Sequence, residues 1–205
     1  MTTGTSYTVP GYPTEYRTRD GQAITLRPML RSDKQALLDF FNRISPEDRL
    51  YLRGDVTSHE TVTEWAETLD YRRVLPLLAF VDGTIVGDGT LHRNQDELPR
   101  HIAEVRIVIA PTYRNQGVGR NMLQHLINIA KAEDPELEQI LFEVVGDTEQ
   151  AAQHAARALG FVPATVFSAH ERYYRGEPHE LILLALQVNE PRGDLETEDP
   201  AAHMF

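Results

Sequence analysis

The spacing of apolar residues changes period several times along this chain. Ile24–Arg27 (ITLR) reads as a short strand. Leu37, Leu38, Phe41 and Ile44 then recur at helical spacing, behind a Ser32 and Gln35 pair with the look of a capping box. Ser45-Pro46 predicts a second helix start, with proline at the first position. Ser58 predicts a third, with Val62, Trp65, Ala66 and Leu69 on its core face. Leu77–Val81 and a run from Thr84 to about His92 are strands joined by Asp82-Gly83, a strong type I′ hairpin signal. Gly87 and Gly89 within the second strand predict a bulge or a close backbone approach. Ile102–Ala110 is another strand, and Val118–Glu133 a helix burying Met122, Leu126 and Ile129. Glu138–Val145 is a strand and Thr148–Leu159 an Ala-rich helix stopped by Gly160. Ala164–Tyr174 and Glu180–Val188 close the pattern as a strand pair around Arg175-Gly176-Glu177-Pro178.

This order is neither a strict βαβ repeat nor an all-β barrel. It predicts a mixed α/β sheet of about seven strands flanked by helices, antiparallel at its start with a parallel crossover at its centre. Residues 1–20, rich in Thr, Tyr, Gly and Pro without a period, read as an extended arm. Residues 21–189 form one domain, and residues 190–205 an acidic, Pro-containing tail. No internal repeat interrupts them.

Composition narrows the chemistry. The 205 residues include no cysteine, which removes disulfides, thiolate metal sites and a covalent acyl-cysteine intermediate. The net charge of −11 repels phosphate backbones, so nucleic acid is not the expected partner and a cationic one is favoured. No apolar run is long enough to cross a membrane. The start, MTTGTSYTVPGYP, lacks the basic and apolar regions of a secretory signal, so a cytoplasmic location is expected. The histidines show no ligand spacing, and His59-Glu60 continues as Thr-Val-Thr-Glu, so no metal is expected.

The informative seam is EVRIVIAPTYRNQGVGRNML, Glu104 to Leu123. A strand ends at Pro111, a polar turn with two glycines follows, and a helix begins. A helix N-terminus presents unpaired N–H groups, and Gly117 and Gly119 let an anion reach them. Arg114 and Arg120 add charge. A P-loop would need Gly-Lys-Ser/Thr, and a dinucleotide fingerprint a third glycine at Met122; neither is present.

The arrangement R-x-x-G-x-G, carried by Arg114, Gly117 and Gly119 after IVIAP and before an apolar helix, resembles the GNAT superfamily of acyl-CoA-dependent N-acyltransferases. The likeness spans about residues 21–188 and includes ALGF, Ala158–Phe161, and the closing strand pair. The opening DGQAITLRPMLRSDKQALLDFFNRIS looks like the branch containing bacterial protein-lysine acetyltransferases. The resemblance implies a GNAT-like fold with acetyl-CoA as co-substrate. It implies pyrophosphate binding at Arg114, Asn115, Gln116, Gly117, Val118, Gly119 and Arg120, and main-chain pairing of the pantetheine arm with Ile107, Val108 and Ile109.

Under that reading Glu104 matches the position of the glutamate base in the lysine-acetyltransferase branch, with Glu143 as fallback. The structural alternative is an ion pair with Arg106, which shares its strand face. Many family members carry a thiolate-protonating tyrosine five residues before the GF phenylalanine; here that position is Ala156. His154, Tyr173 and Tyr174 are the substitutes on offer. The asparagine usual before that helix is replaced by GDTEQ, where Asp147 or Thr148 caps the helix. The expected reaction is direct acetyl transfer to a primary amine, on a small molecule or a protein lysine; the sequence does not state the oligomeric state, and a homodimer through the last strands is one candidate assembly. The rivals are a non-catalytic acyl-CoA-binding sensor and a phosphate-ligand protein unrelated to coenzyme A.

Overall fold

The computed structural model describes residues 8–49, 52, 55–93, 101–167, 173–174, 177–178 and 180–189. Its centre is an eight-stranded mixed sheet. The strands are β1 (Thr14–Arg17), β2 (Ala23–Pro28), β3 (Val74–Val81), β4 (Thr84–Arg93), β5 (Ile102–Ile109), β6 (Gln139–Val145), β7 (Val162–Phe167) and β10 (Leu181–Gln187), in the order β1-β2-β3-β4-β5-β6-β10-β7. A separate pair, β8 (Tyr173–Tyr174) and β9 (Glu177–Pro178), lies outside it. Every neighbouring pair in the large sheet is antiparallel except β5 with β6. That pair is parallel because the 16-residue α4 (Val118–Glu133) crosses between them.

Helices cover both faces. α4 and α5 (Gln150–Arg157) pack on one, where Met122, Leu126, Ile129 and Ala156 join Leu75, Leu77, Val105, Phe142 and Phe161 in the larger core. α1 (Lys34–Arg43) and α3 (His59–Glu67) cover the other, with Leu37, Phe40, Phe41, Ile44 and Val62 packed on Leu78, Phe80 and Ile85. A strand with both faces covered loses its alternation, and β3 reads VLPLLAFV accordingly. No helix among the described residues is long and apolar enough to cross a membrane.

Most predicted elements lie where the periodicity put them, and the exceptions have local causes. Thr14–Arg17, within the expected arm, pairs with Ala23–Leu26 as an edge strand, and Val9 is buried in the larger core. Ser32 does not cap α1. It sits inside a single 3-10 turn (Arg31–Asp33), and the carboxylate that organises the start is Asp33, which accepts from Leu30 N at 2.7 Å and holds Arg27 at 2.6 and 2.8 Å. Ser45 and Ser58 behave as read: Ser45 Oγ accepts from Asp48 N at the start of α2 (Pro46–Arg49), and Ser58 Oγ accepts from Thr61 N. Trp65 is not core. It is 36% exposed and meets the Phe41 ring edge-on, because Val62 and Ala66 take the inward positions of α3. α5 begins at Gln150 behind Glu149, so neither Asp147 nor Thr148 is its N-cap; the Glu149 carboxylate bonds back to Val145 N at 2.7 Å. The closing pair is β7 with β10, and the predicted turn at residues 175–178 falls partly outside the described residues.

Two features of β4 position the site. Asp82 and Gly83 both have positive φ, at 47° and 77°, the type I′ geometry. A Cβ on Gly87 would lie 2.8 Å from Met122 Sδ and 2.9 Å from Ile109 Cδ1, so its bareness is what lets α4 seat on β4.

Candidate active site

The site grows out of β5. This strand pairs with β4 from Ala103 to Ile109 but with β6 only from Ile102 to Val105. Beyond Val105 the two parallel strands part. Ala110 N donates to Val86 O on β4, so by alternation the main-chain groups of Ile107 and Ile109 turn toward the gap, and those of Val108 toward β4. The result, among the described residues, is half a strand whose far edge no other strand covers, a place where an extended ligand can add hydrogen bonds.

At the end of that edge comes the glycine turn. A short 3-10 turn (Pro111–Tyr113) leads to Asn115, with φ of 60°, and to Gly117, with φ of 88°, which stands at the N-cap of α4. Left-handed backbone at Gly117 is accessible to glycine without Cβ strain. No side chain caps the helix there, so its first N–H groups, from Val118, Gly119 and Arg120, point out of the helix end. A Cβ at Gly119 would make only ordinary contact, 3.5 Å, with Ile109. Arg120 is exposed on the first turn. Arg114 is more engaged than its sequence role implied: Nη2 lies 2.8 Å from Asp48 Oδ2 and Nε donates to Ile109 O at 3.1 Å, tying the turn to α2 and β5. Gln116 Nε2 bonds Thr112 O.

On the sheet face away from α4 lies a row of polar side chains. Alternation and register place Asp88, Thr90 and His92 of β4 beside Val108, Arg106 and Glu104 of β5, with Leu141 and Glu143 of β6 on the same side. Glu104 accepts from Arg106 with both oxygens, Nε to Oε1 at 2.7 Å and Nη2 to Oε2 at 3.1 Å. Thr90 Oγ1 is 2.9 Å from His92 Nε2. Asp88 is 9% exposed, and its Oδ1 has no hydrogen-bond partner. Burial pushes its carboxyl up to about 7.

The sequence reading placed Glu104 and the turn residues at opposite ends of one strand, and the structure keeps that arrangement. It did not find Asp88 or His92. The available signal was an acidic residue between two glycines in the otherwise apolar run IVGDGTL. Ala156, at the tyrosine position, is fully buried in the larger core, while His154 is exposed on α5. The side chains of Tyr173 and Tyr174 lie outside the described residues. Among the described residues no cluster of three or more His, Cys, Asp or Glu is arranged to hold a metal ion.

Comparison with known proteins agrees with this geometry. An acetyltransferase of Pseudomonas aeruginosa is 26% identical over 151 residues, covering 70% of this chain and 77% of its own. The crystal structure of a GNAT-family acetyltransferase from Streptococcus pneumoniae superposes with a TM-score of 0.71 at 25% identity, over 81% of this chain and 99% of that one. A protein of Salmonella typhimurium, solved with its cofactor acetyl-CoA, superposes with a TM-score of 0.68 at 16% identity, over 82% of this chain and 96% of its own. The model of the Acetyltransferase (GNAT) family matches residues 36–161, a span holding most of α1, the glycine turn, β5 and α5. With that match over more than half its length, this chain belongs to the GNAT acetyltransferase family.

Proposed function

We propose that the chain transfers acetyl from acetyl-CoA to a primary amine by direct attack in a ternary complex. The observation that carries the reading is the bare edge of β5 running into the uncapped start of α4. An extended pantetheine arm matches the edge, and a pyrophosphate matches the N–H groups at residues 118–120. The fold neighbour solved with acetyl-CoA supports the same ligand. Ile107 and Ile109 supply the edge, and Val108 stands behind it with its main chain on β4. One edge N–H polarises the thioester carbonyl. Asn115, Gln116, Gly117, Arg114 and Arg120 surround the phosphate end. With no cysteine, no acyl-cysteine intermediate is available, so positioning of the two substrates supplies much of the rate.

An amine of pKa about 10.4 must shed a proton before it attacks, a cost of about 4.6 kcal/mol at pH 7. Glu104 is the proposed first acceptor. The leaving thiolate, of pKa about 8.5, takes the second amine proton, which makes a dedicated tyrosine dispensable. The buried Ala156 favours one other reading, an acyl-CoA sensor without turnover.

The test is calorimetric titration of acetyl-CoA into wild type and Gly117→Trp, followed by an amine panel. Binding weakened at least about tenfold by the indole is expected. Absence of binding in wild type refutes the cradle, and binding without turnover of any amine selects the sensor.

A further inference from the structure

Building on the acyl-transfer reading, we propose that Asp88 stores the proton that the acceptor ammonium gives up, receiving it through Glu104, His92 and Thr90. These side chains occupy one face of β4 and β5, the face covered by α1 and α3. His92 stands opposite Glu104 in the register, at the roughly 5 Å Cβ separation of a cross-strand pair. Its Nε2 is 2.9 Å from Thr90 Oγ1. Thr90 and Asp88 are two residues apart on the same face, about 6.6 Å along the strand, a span that one bridging water covers.

Asp88 differs from the rest of the row. Its register neighbours, Leu78 and Val108, are apolar, and Oδ1 is buried with nothing to accept from. A carboxyl so placed keeps a proton that an exposed one would lose, and burial brings it to about 7, where it both takes and returns a proton near neutrality. Glu104 already holds a guanidinium on both oxygens, so a proton arriving there has reason to move on. The charged groups on the face of Asp88 are Arg106 and Glu104 on β5, Glu143 on β6, His92 on β4 and, two strands away in register, Arg27 of β2 in its ion pair with Asp33. β3 offers none, and from α1 Arg43 donates to Ile85 O at 2.9 Å.

The step balances. The ammonium gives one proton to the carboxylate route, and the freed lone pair forms the C–N bond. The C–S bond breaks with its electrons on sulfur, and the thiolate takes the second nitrogen proton to leave as free thiol. Asp88 then returns its proton to water.

The experiment is the pH profile of kcat at saturating acetyl-CoA, with spermidine and Nα-acetyl-lysine amide as acceptor probes, for wild type, Asp88→Asn and Thr90→Val. Wild type is expected to rise through a limb near pH 7. Asp88→Asn should lose that limb and at least about tenfold in rate at pH 8, while acetyl-CoA binding is kept. Thr90→Val, which leaves the carboxyl but cuts the path, should show the same loss. An unchanged limb in Asp88→Asn overturns the route while leaving acyl transfer standing. Lost acetyl-CoA binding in that variant overturns it too, in favour of a purely structural role. No turnover of either amine by wild type overturns acyl transfer and the route together.

Discussion

Asp88→Asn should make this protein more stable, and by an amount that grows with pH. In the unfolded chain the carboxyl ionises near 3.8, whereas in the fold burial holds it protonated up to about 7. Below pH 3.8 both states carry the proton and the group is neutral in effect. Between the two values the folded state binds more protons than the unfolded one, so stability falls as pH rises. Above about 7 both states are ionised and the full penalty stands. A difference of about three units corresponds to roughly 4 kcal/mol, a large part of the 5–15 kcal/mol typical of a domain. Asparagine never ionises, so it escapes this cost, although its amide carries a fixed burial cost of its own. Comparison across pH cancels that fixed term. Between pH 5 and pH 8 the advantage of Asp88→Asn over wild type should widen by about 2–3 kcal/mol. Urea unfolding of both proteins at four pH values, read by circular dichroism, measures it. Parallel stability curves for the two would show that Asp88 does not change its protonation on folding, and the reasoning about its burial would fail. A variant that gains stability and loses rate is what a strained functional group predicts.

Two further substitutions test the frame around the site. Gly87→Ala should destabilise by about 1–3 kcal/mol, because the new methyl meets Met122 Sδ and Ile109 Cδ1 inside 3 Å; both atoms end flexible side chains, so the lower half of that range is expected in urea melts, and no change would mean α4 seats more loosely on β4 than described. Asp33→Ala removes the partner of Arg27 and of Leu30 N–H, at about 1–3 kcal/mol. Burial alone would raise the Asp33 carboxyl, but the bonds from Arg27 and Leu30 outweigh it and hold it below its ordinary 3.8, so this stability is present at neutral pH and lost as pH falls through that lowered value; an acid-unfolding midpoint identical in wild type and variant would contradict it.

Period and punctuation carried much of this architecture into view. The Val118–Glu133 helix, the Asp82-Gly83 hairpin and the close approach at Gly87 all follow from local rules that the tertiary structure leaves intact. Where long-range packing decides, the sequence was mute. Ser32 satisfies a capping rule, yet Arg27, six residues from Asp33 along the chain and on a different element, recruits Asp33 instead. Trp65 has core chemistry, but the inward places on α3 go to Val62 and Ala66. At the site, Glu104 and Arg106 share a face by simple alternation, and their ion pair is legible in the spacing. Asp88 and His92 become visible only once register aligns β4 with β5, since nothing within either strand states which residue of the other it faces.

The two faces of β5 serve different masters. Ala103, Val105, Ile107 and Ile109 pack with α4, whose start is the proposed anion end, whereas Val108 and Ala110 pack with the α1 and α3 side, next to the polar row. The two halves of such a site therefore rest on separate cores. Under the proposed reading, substitutions in the helices over the polar face should alter the choice of amine without disturbing the grip on the acyl donor. A strand divided in this way lets one side of a site be reshaped while the packing behind the other stays as it is.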